Sequence, residues 1–163
     1  TIAKAHALKP ELIYAIIRQE SAFNSRARSP ADAFGLMQLI PRMAQKSAQS
    51  IGKKIIIPED LYDPLINIEL GTVFLRGQWE LYQGQFVLAV ASYNATDEAI
   101  RGWLKTRLKE SPLEFIEEIP YEETQNYVKL VLRNMIFYQR LNSNGQPIPF
   151  PEWCLQNLQA FKG

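Results

Sequence analysis

Apolar residues recur at intervals of three and four along most of this chain, while the strict alternation of a half-buried strand is almost absent. This spacing places apolar side chains on one face of a helix, so an all-α fold is predicted. The 163 residues, 47% of them apolar, are enough to bury a core without disulfides. One domain over residues 1–163 is therefore expected, with its core at about 8–141 and an extended C-terminal tail at 142–163 that packs on the body.

Proline and small polar residues mark where individual helices are expected to begin. Pro10 opens the first complete helix, which is expected to end near Ser21, and Asn67 is expected to cap a later one. In the tail, Phe150 and Trp153 are expected to contact the body. The predicted helices cover about residues 10–21, 41–51, 67–84, 85–94, 96–108, 111–116 and 122–141.

Charge and composition exclude several classes of function. The 18 Lys and Arg residues nearly balance the 17 Asp and Glu residues, leaving a net charge of +1, so no nucleic-acid partner is expected. Cys154 and His6 are the only residues of their types, which excludes cysteine- or histidine-based metal clusters, and no metal or other cofactor is expected. No apolar run approaches the roughly 20 residues of a membrane span, and no signal sequence opens the chain. Because the chain begins at Thr1 rather than Met, it is expected to be a piece cut from a longer protein. A monomer is expected.

The first complete helix carries a candidate catalytic acid. Ile13, Ile16 and Ile17 form its apolar stripe, and Glu20 lies on the same face because it follows Ile16 by four residues and Ile17 by three. A carboxylate on a core-facing stripe loses hydration, which raises its pKa and suits it to donate a proton near neutral pH. The alternative is that Glu20 reaches solvent at the end of the stripe or binds a loop backbone.

Two further segments have side chains suited to binding a sugar. Residues 29–38 contain Gly35, which allows a close backbone approach, and then Met37 and Gln38, which place an apolar group beside an amide. Tyr93 and Asn94 come at the end of a predicted helix, where side chains can enter a cleft. Taken alone, Tyr93 fits a core position as well as a binding site.

Together these segments resemble the catalytic domain of the family 1 soluble lytic transglycosylases of bacterial peptidoglycan. The resemblance covers about residues 8–141, in the order and with the spacing of the family. The matching stretches are residues 16–24, residues 35–38 with Pro41, residues 61–64 with 67–68 and 70–71, residues 91–95, and residues 119–124 with 127–128.

The resemblance implies a lysozyme-like, goose-type helical domain with a substrate cleft. It implies cleavage of the β-1,4 bond between N-acetylmuramic acid and N-acetylglucosamine, with formation of a 1,6-anhydro ring and no entry of water. Glu20 matches the single catalytic acid and base of the family, and the tyrosine that assists the substrate's N-acetyl group matches Tyr93. The residues that match glycan-binding positions or lie in the same motifs are Ser29, Met37, Gln38, Tyr93, Asn94 and Glu123. The substrate implies a location in the bacterial periplasm or cell envelope, with peptidoglycan glycan strands as the partner.

Several positions depart from the family pattern, and several alternatives stay open. Asp32 stands where glycine is commonest, Ile40 where methionine is common, and residues 96–98 replace Gly-Pro-Gly, which should start the following helix earlier. Glu123 could simply complement the dipole of the helix that it begins. The alternative functions are a goose-type lysozyme or chitinase-like hydrolase, and an inactive glycan-binding module.

Overall fold

In the computed structural model, which describes residues 2–158, the regular elements are all helical. Two of them are short 3₁₀ helices, Glu59–Tyr62 and Glu152–Leu155. The α-helices are α1 (Ile2–Ala5), α2 (Pro10–Ser21), α3 (Pro41–Ser50), α4 (Pro64–Leu81), α5 (Phe86–Asn94), α6 (Asp97–Arg107), α7 (Pro112–Glu118) and α8 (Glu122–Asn142). The helical character predicted from the apolar spacing is confirmed.

The predicted start of α4 at Asn67 is wrong. The helix begins three residues earlier, at Pro64, because the Asp63 carboxylate accepts the backbone N–H groups of Leu65 and Ile66 at 2.8 and 3.1 Å. An aspartate before a proline supplies the usual N-terminal pairing of a cap and a preset φ angle. Asn67 therefore lies inside the helix, where it is fully buried.

The structure differs from the prediction in smaller ways at three other places. The short helix α1 was not predicted, and α4 ends at Leu81 before a turn that reaches Gly84. The tail is not wholly extended, because it contains the 3₁₀ helix Glu152–Leu155. The part of the predicted tail at residues 159–163 lies outside the described residues.

The chain divides into two compact units, residues 1–76 and 77–163. In the first unit, a cluster of buried apolar side chains joins the loop before α3, α3 itself, the 3₁₀ helix Glu59–Tyr62 and the start of α4. Ile55 and Ile57, on the connector after α3, pack against this cluster, whereas Ile56 is exposed. The buried members of the cluster are Phe34, Leu39, Ala44, Ala48, Leu61 and Leu70.

In the second unit, α5 is the central helix. Every residue from Phe86 to Tyr93 is buried, as expected for a helix that is apolar on all sides. It packs against α6, α8 and the 3₁₀ helix Glu152–Leu155, while α7 packs against α8. The functional candidates at the C-terminal end of α5 therefore extend from a helix that is held on several sides.

Trp153 connects the tail to the core of the second unit. Its ring makes edge-on contacts with Trp79 and Phe86, with ring centres 6.0 and 5.8 Å apart. The neighbouring Cys154 is buried, as expected of a small apolar side chain. Phe150, by contrast, is 48% exposed, so of the two predicted contacts in the tail Trp153 is the better packed. Across residues 2–158, no helix combines the length and the apolar character that crossing a bilayer requires.

We expect Trp153→Ala to lower the free energy of unfolding by roughly 2–3 kcal/mol, because it removes two aromatic contacts at a partly buried site. Phe150→Ala, in the same tail, is the matched control and should cost less than about 1 kcal/mol. Urea unfolding followed by far-UV circular dichroism measures both values. Equal losses for the two variants would contradict the assignment of Trp153 as the contact that holds the tail.

Candidate functional site

Glu20 lies in the last turn of α2. The face formed by Ile13, Ile16 and Ile17 is buried, Glu20 at its end is half-buried, and Arg18 is exposed on the other side. The helix stops because Ala22 takes a left-handed backbone conformation with φ of 50°. Glu20 thus lies at the end of the buried face of α2, with part of its surface accessible.

Ser21 joins the end of α2 to the loop that contains Gly35. Its hydroxyl donates to the backbone carbonyl of Leu36 at 2.8 Å. Because Ser21 directly follows Glu20, this hydrogen bond sets the position of the loop relative to the candidate acid. Sequence reasoning placed both segments in one site but did not identify this connection.

A buried amide on α4 also holds this loop. Asn67 accepts the backbone N–H of Met37 at 2.8 Å, and its Nδ2 donates to the carbonyls of Phe34 and Leu61 at 2.9 and 2.8 Å. Backbone groups in a buried irregular segment need such partners, since leaving one unpaired is costly. Local pattern alone could not reveal this role, because the three partners lie between 6 and 33 residues away in sequence.

Met37 and Gln38 have different surroundings within the loop. Met37 is fully buried and packs so closely on Gly71 that a Cβ added there would overlap its sulfur. Gln38 is half-buried in a left-handed conformation, and its Nε2 donates to the carbonyls of Gly35 and Ala27 at 2.9 and 3.2 Å. Both hydrogens of the Gln38 amide are therefore used within the protein, so its oxygen is the group that it offers to a ligand.

Ser29 stabilises the turn that precedes this loop. Its hydroxyl oxygen accepts the backbone N–H groups of Ala31 and Ala33 at 3.2 and 3.1 Å. The oxygen serves as acceptor in both contacts, so the hydroxyl proton remains for a further acceptor. Ser29 is half-buried, which leaves part of the side chain accessible.

The unusual Asp32 occupies a backbone position that favours glycine. Its φ is 54°, in the left-handed region, where aspartate is one of the better tolerated side chains. Its carboxylate accepts Nε and a terminal nitrogen of Arg28 at 2.9 and 2.6 Å, and this hydrogen-bonded ion pair raises the pKa of Arg28. The substitution therefore keeps the turn and places a paired charge on its surface.

In the second unit, Tyr93 and Asn94 end α5, and Glu123 lies in the first turn of α8. Tyr93 is buried with 9% of its surface exposed. Asn94 Nδ2 donates to a carboxylate oxygen of exposed Glu123 at 3.3 Å, and Asn94 Oδ1 accepts the hydroxyl of Thr124 at 2.7 Å. The structure thus brings Asn94 and Glu123 together and adds Thr124, which sequence reasoning had quoted within a motif but had not assigned to the site.

Helix α6 begins at Asp97, within residues 96–98, where the sequence predicts the start of a helix. The Thr96 hydroxyl caps the helix by accepting the N–H of Ala99 at 3.2 Å. Asp97 accepts the hydroxyl of buried Tyr82 at 3.2 Å, and burial, reinforced by that carboxylate, raises the pKa of Tyr82. Asp97 is therefore engaged within the second unit.

Within residues 2–158, no three His, Cys, Asp or Glu side chains gather in a way that could hold a metal ion.

The candidate site residues fall into two groups, one in each compact unit. Glu20, Ser29, Met37 and Gln38 belong to the first unit, and the second unit holds Tyr93, Asn94 and Glu123.

Comparison with known proteins gives a consistent result. Residues 1–116 match the family model described as the transglycosylase SLT domain. The soluble lytic murein transglycosylase of Escherichia coli K12 is 35% identical over 127 residues, which cover 77% of this chain and 20% of the relative.

Solved structures show the same likeness. The structure of an inactive mutant of the lytic transglycosylase Slt from Pseudomonas aeruginosa has a TM-score of 0.88 and 37% identity, covering 98% of this chain and 26% of that one. The 70 kDa soluble lytic transglycosylase of E. coli has a TM-score of 0.84 and 30% identity, covering 93% and 25%. The predicted all-α, lysozyme-like fold is confirmed, and the chain spans about a quarter of the length of these relatives.

Two glycines with left-handed backbones provide a matched test of the loop. Gly35→Ala introduces a Cβ that overlaps the Leu61 carbonyl and the Asn67 amide, whereas Gly52→Ala meets no atom within 4 Å. Both variants bear the strain of positive φ, about 1–2 kcal/mol, but only the first disrupts buried hydrogen bonds. We expect Gly35→Ala to lower the free energy of unfolding by at least about 2 kcal/mol more than Gly52→Ala in chemical denaturation. Similar losses would show that Asn67 does not anchor the loop.

Proposed function

Because the chain belongs to the transglycosylase SLT domain family, we propose that it is a peptidoglycan lytic transglycosylase. It cleaves the β-1,4 bond between N-acetylmuramic acid and N-acetylglucosamine and leaves a 1,6-anhydro-N-acetylmuramic acid end. The observation that carries the proposal is the family match over residues 1–116, which includes a glutamate at the edge of an apolar core. Because the ring closure needs only acid and base, the reaction requires no metal or other cofactor.

Glu20 is the acid and base of this reaction. Its carboxyl group first protonates the glycosidic oxygen that leaves with N-acetylglucosamine. The C6 hydroxyl of the muramoyl residue then attacks its own anomeric carbon, and the Glu20 carboxylate takes the proton of that hydroxyl. One residue can serve both steps because the second proton transfer reverses the first, and the acid is regenerated without water.

Tyr93 helps to stabilise the positive charge that develops at the anomeric carbon. Most glycosidases place a second carboxylate beside this carbon, whereas in the proposed reaction the N-acetyl carbonyl of the substrate meets the charge. The Tyr93 hydroxyl hydrogen-bonds to that N-acetyl group. Its position at the end of the buried helix α5 supports this role, since a ring packed in the core keeps its hydroxyl in one place.

The remaining residues bind the glycan. Ser29 donates its hydroxyl proton, Gln38 accepts through its side-chain oxygen, and the Glu123 carboxylate accepts from hydroxyl or amide groups. Asn94 orients Glu123, to which it already donates. Met37 supports the loop from within, because it is fully buried against Gly71.

The substrate determines the location and the partner. Peptidoglycan strands lie in the bacterial cell envelope, so the protein acts in the periplasm or at the envelope. The chain itself carries net charge +1, which suits a substrate that is not a polyanion.

Glu20→Gln should strongly reduce turnover while the protein still folds, because an amide cannot protonate the leaving oxygen. We expect release of soluble muropeptides from purified peptidoglycan to fall about 100- to 10,000-fold. Glu11→Gln, in the first turn of the same helix, removes the same charge and should retain activity. Circular dichroism verifies folding, and an active Glu20→Gln protein would disprove the assignment of the acid.

The product distinguishes the transglycosylase from a hydrolase. Mass spectrometry of the released muropeptides should show ends lighter by one water than reducing ends, because the internal C6 hydroxyl replaces water as the attacking group. Reducing ends would instead indicate a lysozyme or chitinase. Binding to peptidoglycan without any soluble product would indicate an inactive glycan-binding module.

A further inference from the structure

Asn94, Glu123 and Thr124 form a hydrogen-bonded chain in the second unit. Asn94 ends α5, and Glu123 and Thr124 follow each other in the first turn of α8. The Asn94 amide contacts Glu123 at 3.3 Å on one side and Thr124 at 2.7 Å on the other. Glu123 is exposed, whereas only 2% of the surface of Thr124 is exposed.

The chemistry of the three groups allows one arrangement of protons. A carboxylate can only accept hydrogen bonds, so the amide nitrogen of Asn94 must face Glu123. The amide oxygen then faces Thr124, whose hydroxyl must donate. The reversed amide would place two acceptors against each other at Glu123, so the carboxylate sets the direction of the amide, and the Thr124 hydroxyl, which can donate or accept, holds the amide in place.

We propose that Thr124 is a positioning residue, which holds the Asn94 amide in place and through it the Glu123 carboxylate. The inference rests on the proposed function, because Glu123 is there a glycan-binding group. Thr124 itself is buried and acts only through Asn94. Its contact with Asn94, at 2.7 Å, has the usual length of an O–H···O hydrogen bond, whereas the contact of Asn94 with Glu123, at 3.3 Å, is long for N–H···O.

The position of Thr124 suits this role. It belongs to α8, which packs directly against the central helix α5. Its hydroxyl therefore joins two packed helices, and its direction is set by the core rather than by solvent. A carboxylate held in this way loses less conformational freedom when a glycan binds, so affinity for the glycan should depend on Thr124 more than the bond-breaking step does.

Thr124→Val is the test, because valine keeps the shape of threonine and removes the hydroxyl. Thr124→Ser keeps the hydroxyl and serves as the rescue variant. Thr106→Val is the matched control, since Thr106 also donates a side-chain hydrogen bond, at 2.9 Å to Gly102, but is exposed on α6. Thermal unfolding of each variant separates a loss of stability from a loss of positioning.

The first measurement needs no substrate. In the 163-residue chain, the side-chain NH₂ signals of Asn94 are identified by their loss in Asn94→Ala. Glu123→Gln should shift these signals in the parent chain, because it replaces the carboxylate that accepts from the Asn94 amide. The same change should shift them less than about half as much in a Thr124→Val background, and as much as in the parent in Thr124→Ser and Thr106→Val backgrounds. An undiminished shift in the Thr124→Val background would overturn the inference.

The second measurement is a double-mutant cycle on peptidoglycan. We expect Thr124→Val to raise the apparent KM about 5- to 10-fold while kcat stays within about twofold, with Thr124→Ser close to the parent. In an Asn94→Ala background the same change should have almost no further effect, because the group that Thr124 positions is gone. An equal increase in both backgrounds would contradict the inference.

Failure of the proposed function has a different signature. If the parent chain releases no anhydro-muropeptides, the proposed function fails, while the shift of the Asn94 amide signals still decides whether Thr124 holds Asn94 against Glu123. If the parent chain is active and Thr124→Val leaves both that shift and KM unchanged, the inference fails and the function stands.

Discussion

The buried amide of Asn67 holds the loop of the first unit in place. Its three hydrogen bonds reach Met37 and Phe34, in the loop before α3, and Leu61, in the 3₁₀ helix Glu59–Tyr62. One side chain of α4 thus joins the backbone of two other segments to that helix. The loop that carries Gln38 is consequently held by hydrogen bonds from a side chain, although it forms no helix. The proposed role of Gln38 in glycan binding needs such fixation, because a mobile loop would lose entropy on every binding event.

In the second unit, the packing of a helix rather than hydrogen bonds to a loop positions the candidate residues. Its central helix α5 is buried on all sides, and Tyr93 and Asn94 inherit a fixed position from the packing around it. Here the candidate residues need little support from loops, because they lie at the end of a packed helix. Asn94 is held further by side-chain hydrogen bonds with Glu123 and Thr124. One unit therefore positions its candidate residues by hydrogen bonds from side chains to the backbone, and the other by apolar packing with side-chain hydrogen bonds at the end of α5.

The sequence predicts local features of the fold better than contacts between distant segments. Features that depend on neighbours in sequence were predictable: the bounds of α2, the Thr96 cap and the inward face that ends at Glu20. Asn67 was misassigned as a cap because asparagine is a good cap residue, whereas the true cap, Asp63, stands next to a proline. The partners of Asn67 and Thr124 are set by packing between segments distant in sequence, and no local pattern encodes them. Identification of the candidate residues was accordingly easier than identification of the residues that hold them.

The hydrogen bonds already formed within the protein also restrict what the candidate residues can recognise. Ser29 accepts two backbone N–H groups and so retains a donor, while both Gln38 amide hydrogens are used and its oxygen remains. Glu123 can only accept. A ligand group at Ser29 must therefore be an acceptor, and a ligand group at Gln38 or at Glu123 must be a donor. An N-acetylated amino sugar carries an amide N–H, an amide carbonyl and free hydroxyls, so it can meet each of these demands. A polyanion such as a nucleic acid backbone would bring acceptors alone to two groups that are themselves acceptors, which is consistent with the weak net charge of the chain.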